Sequence, residues 1–211
     1  MLLYDYFRSS AAFRVRIALN LKGLAAERRY VHLLKGEQRA AEYLALNPQG
    51  FVPMLVVGDR RLTQSIAIIE YLDEKHAQPP LLPQGAEDRA WVRSIALAVA
   101  CDIHPLNNTR VMKHLETTLG LPKEAREAWY HHWVREGFEA IEPLLAANAR
   151  GPFCHGDAPT LADVCLLPQV FNAQRFKVPL EPYPRIRAIH DACMALPAFA
   201  DAHPLRQPDA A

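Results

Sequence analysis

The 211-residue chain contains no apolar run near the roughly 18 residues that a membrane-crossing helix needs, so no membrane span is expected. Its opening stretch, MLLYDYFRSS, has neither a basic leader nor an extended apolar segment, and no secretory signal is expected. Excess charge of one sign is missing too. Lys and Arg total 24 against 23 Asp and Glu, a formal net charge of +1. That balance excludes a broad electrostatic grip on nucleic acid or a membrane surface, and any anionic ligand must be met by a local arginine cluster. Cysteine is sparse: Cys101, Cys154, Cys165 and Cys193, with no C-x-x-C pair. These read as small buried residues of a reduced, cytoplasmic protein. The nine histidines include no H-x-x-x-H or H-E-x-x-H, and His131 and His132 would point about 100° apart on a helix. No metal site is expected. G-x-S-x-G, G-x-x-x-x-G-K-[ST] and G-x-G-x-x-G are all absent.

What the chain does have is an ordered alternation over its first eighty residues. LLYDY (2–6) reads as a strand. A helix follows from Ser10 to Lys22, with Phe13, Ile17 and Leu21 on one stripe and Lys22-Gly23 as its stop. Arg14 and Arg16 fall beside that stripe, facing solvent or bridging to a second domain. RRYVHL (28–33) is a second strand, and EQRAAEYLAL (37–46) a short helix ended by Asn47-Pro48. VPMLVV (52–57) and RRLT (60–63) flank Gly58-Asp59 as a hairpin, and Ser65–His76 is another helix. The order β-α-β-α-β-β-α gives a mixed four-stranded sheet with helices packed on it.

AQPPLLPQGAED (77–88) is proline-dense, without periodicity, and reads as a linker. Beyond it, alanine- and leucine-rich helical patterns cover 87–118, 123–148, 160–175 and 183–195, so domains are expected at 1–80 and, all-α, at 81–211. Thr160 and Asp163 make an acidic variant of the capping box, a folding element rather than a catalytic acid.

Three stretches carry candidate chemistry. Ser9-Ser10 can cap a helix, and a serine hydroxyl there can also donate to an anion. Val52-Pro53 opens a strand where proline is tolerated; a cis peptide there would leave the Val52 N–H and C=O free for an extended ligand. Gln64-Ser65 starts a helix whose free amides could hold a carboxylate.

In this order, YFRSSAAFRVRIALNLKG, ALNPQGFVPML, LTQSIAIIEYL, GDAPTLADVCLLPQ and NAQRFKVPLEPYPRI resemble the zeta class of cytosolic glutathione transferases, the maleylacetoacetate isomerases. The likeness runs to RQPD near the end of the chain. It implies an α/β thioredoxin-like N-terminal domain plus an all-α C-terminal domain, a homodimer and glutathione as cofactor. It places Ser9 next to the glutathione sulfur with Ser10 beside it, Gln64 and Ser65 on the γ-glutamyl end, and Val52 on the cysteinyl backbone ahead of cis-Pro53. Gln38, His104 and Asn108 would add glutathione contacts, and Arg8 and Arg175 would face the acidic substrate. Arg110 is a candidate for a second substrate carboxylate. The class motif usually reads Ser-Ser-Cys; here the third residue is Ala11, which excludes chemistry by a protein thiolate at that position.

The activity implied is glutathione-dependent cis–trans isomerisation of a small anionic maleyl keto acid. Maleylacetoacetate leads, with maleylpyruvate as the nearest alternative. Conjugation or dehalogenation of small α-halo acids is a second possibility, and a non-catalytic glutathione-binding protein a third.

Overall fold

The computed structural model describes residues 1–210. Chain contacts divide it into two units, Met1–Pro80 together with the segment from Met194 onward, and Leu81–Cys193. The first unit runs to Pro80 and takes in the last stretch of the chain as well, which leaves the second half and returns to the first. No composition or periodicity signal in that tail announced this.

In the first unit four short strands, β1 (Leu2–Asp5), β2 (Glu27–Tyr30), β3 (Met54–Val57) and β4 (Arg60–Thr63), form one sheet in the order β2-β1-β3-β4. β1 and β2 are parallel, with Leu3 opposite Arg28; β3 runs antiparallel to both β1 and β4. Helix α1 (Ser10–Leu21) connects β1 to β2. α2 (Ala41–Leu46) is shorter than its sequence pattern, because Glu37–Arg39 winds as a 3-10 turn before it. α3 (Ser65–Lys75) follows β4 directly. Leu3, Phe13, Ile17, Met54, Leu55, Ile68, Ile69 and Leu72 are all at 1 % exposure or less. Each such side chain stabilises the fold by about 1.5–3 kcal/mol relative to exposure.

α1 departs from the expected one-sided pattern. Arg14 is 2 % exposed and Arg16 is 0 %, so neither is a solvent-facing residue. The reason lies in what surrounds the helix: α1 packs on α3 and also on a short helix, Pro197–Ala200, of the returning tail. Arg16 is accepted there because Asp5 takes its Nη1–H at 2.7 Å and the carbonyls of Phe7 and Ala202 take two more N–H groups at 3.0 and 3.1 Å.

The second unit is helical throughout: α4 (Ala86–Leu97), α5 (Thr109–Thr117), α6 (Lys123–Ala147), α7 (Leu161–Arg175) and α8 (Pro184–Met194), the Pro197–Ala200 helix of the first unit being α9. α7 is almost wholly buried and packs on α4. A π-helical segment, Ala98–Ile103, extends α4 and lies against α6 and α7. Gly137 on α6 permits that approach, since a Cβ there would overlap Ile103. The Asp163 capping box is formed: Oδ2 accepts the Thr160 N–H at 2.8 Å, and Oδ1 accepts the Cys154 N–H at 2.8 Å. Cys154, Cys165 and Cys193 are buried, whereas Cys101 is exposed, contrary to the uniform burial expected.

Candidate active site

Ser9 is the N-cap of α1. Its Oγ accepts the Ala12 N–H at 3.2 Å, and its own N–H donates to the Tyr6 carbonyl at 2.9 Å. Because the cap uses the oxygen as acceptor, the hydroxyl proton is left to donate elsewhere, toward the positive end of the helix dipole. Ser10, the first residue of α1, is 6 % exposed. Arg8, just before the cap, is exposed and lies with Cζ 4.8 Å from the centre of the Phe7 ring.

The turn into β3 supplies the second feature. The Phe51 carbonyl accepts from the Tyr43 hydroxyl at 2.6 Å and from Asn47 Nδ2 at 2.8 Å. Burial pushes the Tyr43 phenol up to about 12, so it stays a donor at neutral pH. Val52–Pro53 is a cis peptide, and the Val52 backbone makes no hydrogen bond among the described residues. Gly50, at φ +62, lets this turn sit against Gln38: a Cβ at that position would come within 2.9 Å of the Gln38 carbonyl. The side-chain Oε1 of Gln38 is buried without a hydrogen-bond partner.

The third feature is the start of α3. Gln64 holds φ 69, a left-handed value that a non-glycine residue adopts at a cost of order 1 kcal/mol. Its Nε2 donates to Gln49 Oε1 at 3.2 Å. No side chain caps α3, and Ser65 is buried with its Oγ accepting from Arg14 Nη1 at 3.3 Å. Arg14 therefore ties the middle of α1 to the start of α3 and places a cation beside the amides that would meet a carboxylate. The sequence pattern missed this role, since a helix stripe counts arginine as polar surface.

In the second unit, His104 follows the π-helical segment directly, and Asn108 caps α5 by accepting the Arg110 N–H at 3.1 Å. Asn108 Nδ2 lies 3.4 Å from His104 Nε2, so these two candidates meet. The Arg110 side chain is exposed near the start of α5. Arg175 ends α7, with Cζ 4.7 Å from the centre of the Phe176 ring. That ring stacks on Tyr130 at 3.7 Å between centroids, and the Phe176 carbonyl lies 2.7 Å from His131 Nε2.

Comparison with known proteins decides the family. Residues 1–74 match the glutathione S-transferase N-terminal domain, and 127–192 the glutathione S-transferase C-terminal domain. A probable maleylacetoacetate isomerase of Vibrio cholerae is 48 % identical over 100 % of this chain and 98 % of its own length. A holo structure of a maleyl pyruvate isomerase, described as a bacterial zeta-class glutathione S-transferase, superposes with a TM-score of 0.98 at 49 % identity, all of both chains being covered. This chain belongs to the zeta class of glutathione S-transferases. A maleylacetoacetate isomerase from Methylobacterium extorquens AM1, solved with bound malonate and GSH, gives a TM-score of 0.97 at 44 % identity, again over all of both chains.

The zeta-class assignment makes glutathione the cofactor, and the residues of the first unit fit it. An extended tripeptide needs a strand-like backbone partner, an anion site and further polar contacts. Features of these three kinds are present: the unpaired Val52 backbone, the uncapped amides of α3 beside Ser65 and Arg14, and the unpartnered Gln38 Oε1.

Proposed function

We propose that the chain is a glutathione-dependent cis–trans isomerase that converts maleylacetoacetate to fumarylacetoacetate. The observation that carries this reading is the cap at Ser9, whose Oγ accepts the Ala12 N–H and so keeps its hydroxyl proton for a thiolate that would lie at the start of α1. Glutathione, when bound, supplies a thiolate that adds reversibly to the activated cis double bond and is regenerated when the trans isomer leaves.

The residues of this chain prepare that chemistry. A free thiol near pKa 8.5 is only a few per cent ionised at pH 7, and lowering it by about 2 units corresponds to roughly 2.7 kcal/mol. A hydrogen bond from Ser9 to a charged sulfur contributes about 1.5–3 kcal/mol. The α1 dipole adds about 0.3–1 kcal/mol. The hydroxyl is thus the larger effect, with the helix end assisting and Ser10 alongside. Gln64 and Ser65 hold the γ-glutamyl end, Val52 ahead of Pro53 pairs with the cysteinyl backbone, and Gln38, His104 and Asn108 complete the grip.

The substrate has two carboxylates, and the chain's near-zero net charge offers no general attraction for them. Arg8 and Arg175 meet them, with Arg110 as candidate for the second; arginine's planar fork suits a carboxylate. The bound malonate of the Methylobacterium extorquens relative, itself a dicarboxylate, supports a dianionic substrate. The relative acting on maleyl pyruvate supports a shorter acid with the same reacting unit as the second reading. The proposed protein works as a homodimer in the cytoplasm; among the described residues the four cysteines are free and no helix is long and apolar enough to cross a membrane.

The test is to compare kcat/KM for maleylacetoacetate, maleylpyruvate and a small α-halo acid under one set of conditions. A preference for maleylacetoacetate supports the proposal. A preference for maleylpyruvate moves the substrate to the second reading. Turnover of the halo acid alone would overturn isomerisation.

A further inference from the structure

The residues that lead into the cap are held by groups distant in sequence. Tyr6, Phe7 and Arg8 connect β1 to Ser9. At the front of this turn the Tyr6 N–H donates to Asp5 Oδ1 at 2.8 Å, and at its end the Ser9 N–H donates to the Tyr6 carbonyl at 2.9 Å. Between them, the Phe7 carbonyl accepts from Arg16 Nη2 at 3.0 Å, and the Phe7 N–H donates to Asp209 Oδ2 at 2.9 Å. Asp209 lies 202 residues further along the chain.

The tail presents Asp209 on a firm support. It sits in the 3-10 turn Pro208–Ala210, immediately after Gln207, which is buried. Gln207 Nε2 donates to the carbonyls of Asp201 and His203 at 2.8 and 3.0 Å. Its Oε1 accepts from Arg28 Nη1 at 2.9 Å, and the same Arg28 nitrogen donates to Asp5 Oδ2 at 2.9 Å. Arg16 Nε donates to the Ala202 carbonyl of the tail at 3.1 Å. Both clamps on Phe7, Arg16 and Asp209, are thus anchored by the tail, and Asp5 shares the network through Arg28.

We infer that Asp209 is a positioning residue: its carboxylate fixes the Phe7 peptide and through it the orientation of the Ser9 hydroxyl. The inference rests on the proposed role of Ser9 toward the glutathione thiol. A rigid support matters because a donor displaced by a few tenths of an ångström loses much of its effect on a developing charge. Freeing the Phe7 N–H loosens the Tyr6–Phe7 peptide, whose carbonyl accepts the Ser9 N–H at the cap.

The test compares wild type, Asp209→Ala and Asp209→Asn by four readouts. These are the melting midpoint and amide exchange of the ligand-free protein, the ultraviolet thiolate band of bound glutathione against pH, and the split between kcat and the KM for glutathione. Asp209→Ala is expected to melt within a few degrees of wild type, with faster exchange at Phe7. Its bound thiol should titrate at higher pH, and kcat should fall about tenfold with KM changed less than about twofold, the size set by one lost hydrogen bond. Asp209→Asn, whose amide oxygen accepts the same N–H, is expected to restore both the titration and kcat. A folded Asp209→Ala with wild-type titration and kcat overturns the inference, as does an Asn variant no better than Ala. An Ala variant that does not fold makes Asp209 a folding residue and overturns it too. A wild type that shows no thiolate band with glutathione fails at the proposed function itself, and the inference falls with it.

Discussion

At Ser9 one oxygen serves a helix and, in the proposed reaction, a sulfur. Replacing it separates the two uses. Ser9→Ala removes the cap, at about 1 kcal/mol of stability, and removes the thiol's donor. The expected result is a fall in kcat of about 10- to 10²-fold with a modest change in glutathione KM, because the loss of about 1.5–3 kcal/mol is confined to the charge at sulfur. Steady-state kinetics beside a thermal melt checks both parts. Ala11 gives the opposite prediction. Since the sulfur comes from the cofactor, Ala11→Cys is expected to leave isomerisation within about twofold of wild type, within the spread of a small surface change. Ser9, Ser10 and Ser65 were visible in the sequence because serine before a helical pattern has a local meaning. Arg14 and Arg16 were not, because helical periodicity assumes one wet face, and α1 is covered by α3 on one side and the tail on another.

Among the elements, the turn into β3 depends on Tyr43 more than on its own residues. Tyr43→Phe removes the 2.6 Å bond to the Phe51 carbonyl. It is expected to raise the glutathione KM severalfold while kcat holds, as one buried hydrogen bond is worth about 1 kcal/mol. The α7 cap makes a pH prediction. Burial raises the Asp163 carboxyl above its ordinary value, opposed by the N–H groups of Cys154 and Thr160. A raised folded-state pKa favours the protonated native form, so the stability it contributes is present below the unfolded value near 4 and is lost as pH rises through the folded value. Measured by denaturant titration across that window, wild type should lose stability relative to Asp163→Asn and then run parallel to it. The capping box was legible from Thr160 and Asp163 alone. The π-helical segment before His104 was not, since one extra residue in a helical turn leaves no mark on an alanine-rich pattern.

For the whole molecule, the β-α-β-α-β-β-α order and the helical second half were readable from spacing, and the five resembling stretches pointed to the zeta class. The return of residues 194 onward to the first unit was not readable, because it rests on Asn20, Arg16, Arg28 and Phe7 meeting tail groups 178 to 202 residues away. The proposed homodimer predicts a light-scattering mass of twice the chain, unchanged by dilution through the working range; a mass of one chain would contradict it. The most direct test of the central claim is turnover with glutathione held well below the substrate concentration, following both maleylacetoacetate and free thiol. No reaction is expected without glutathione, and with it many isomerisations per glutathione while free thiol stays constant. Product that stops at one equivalent of glutathione, with the thiol consumed, would contradict it.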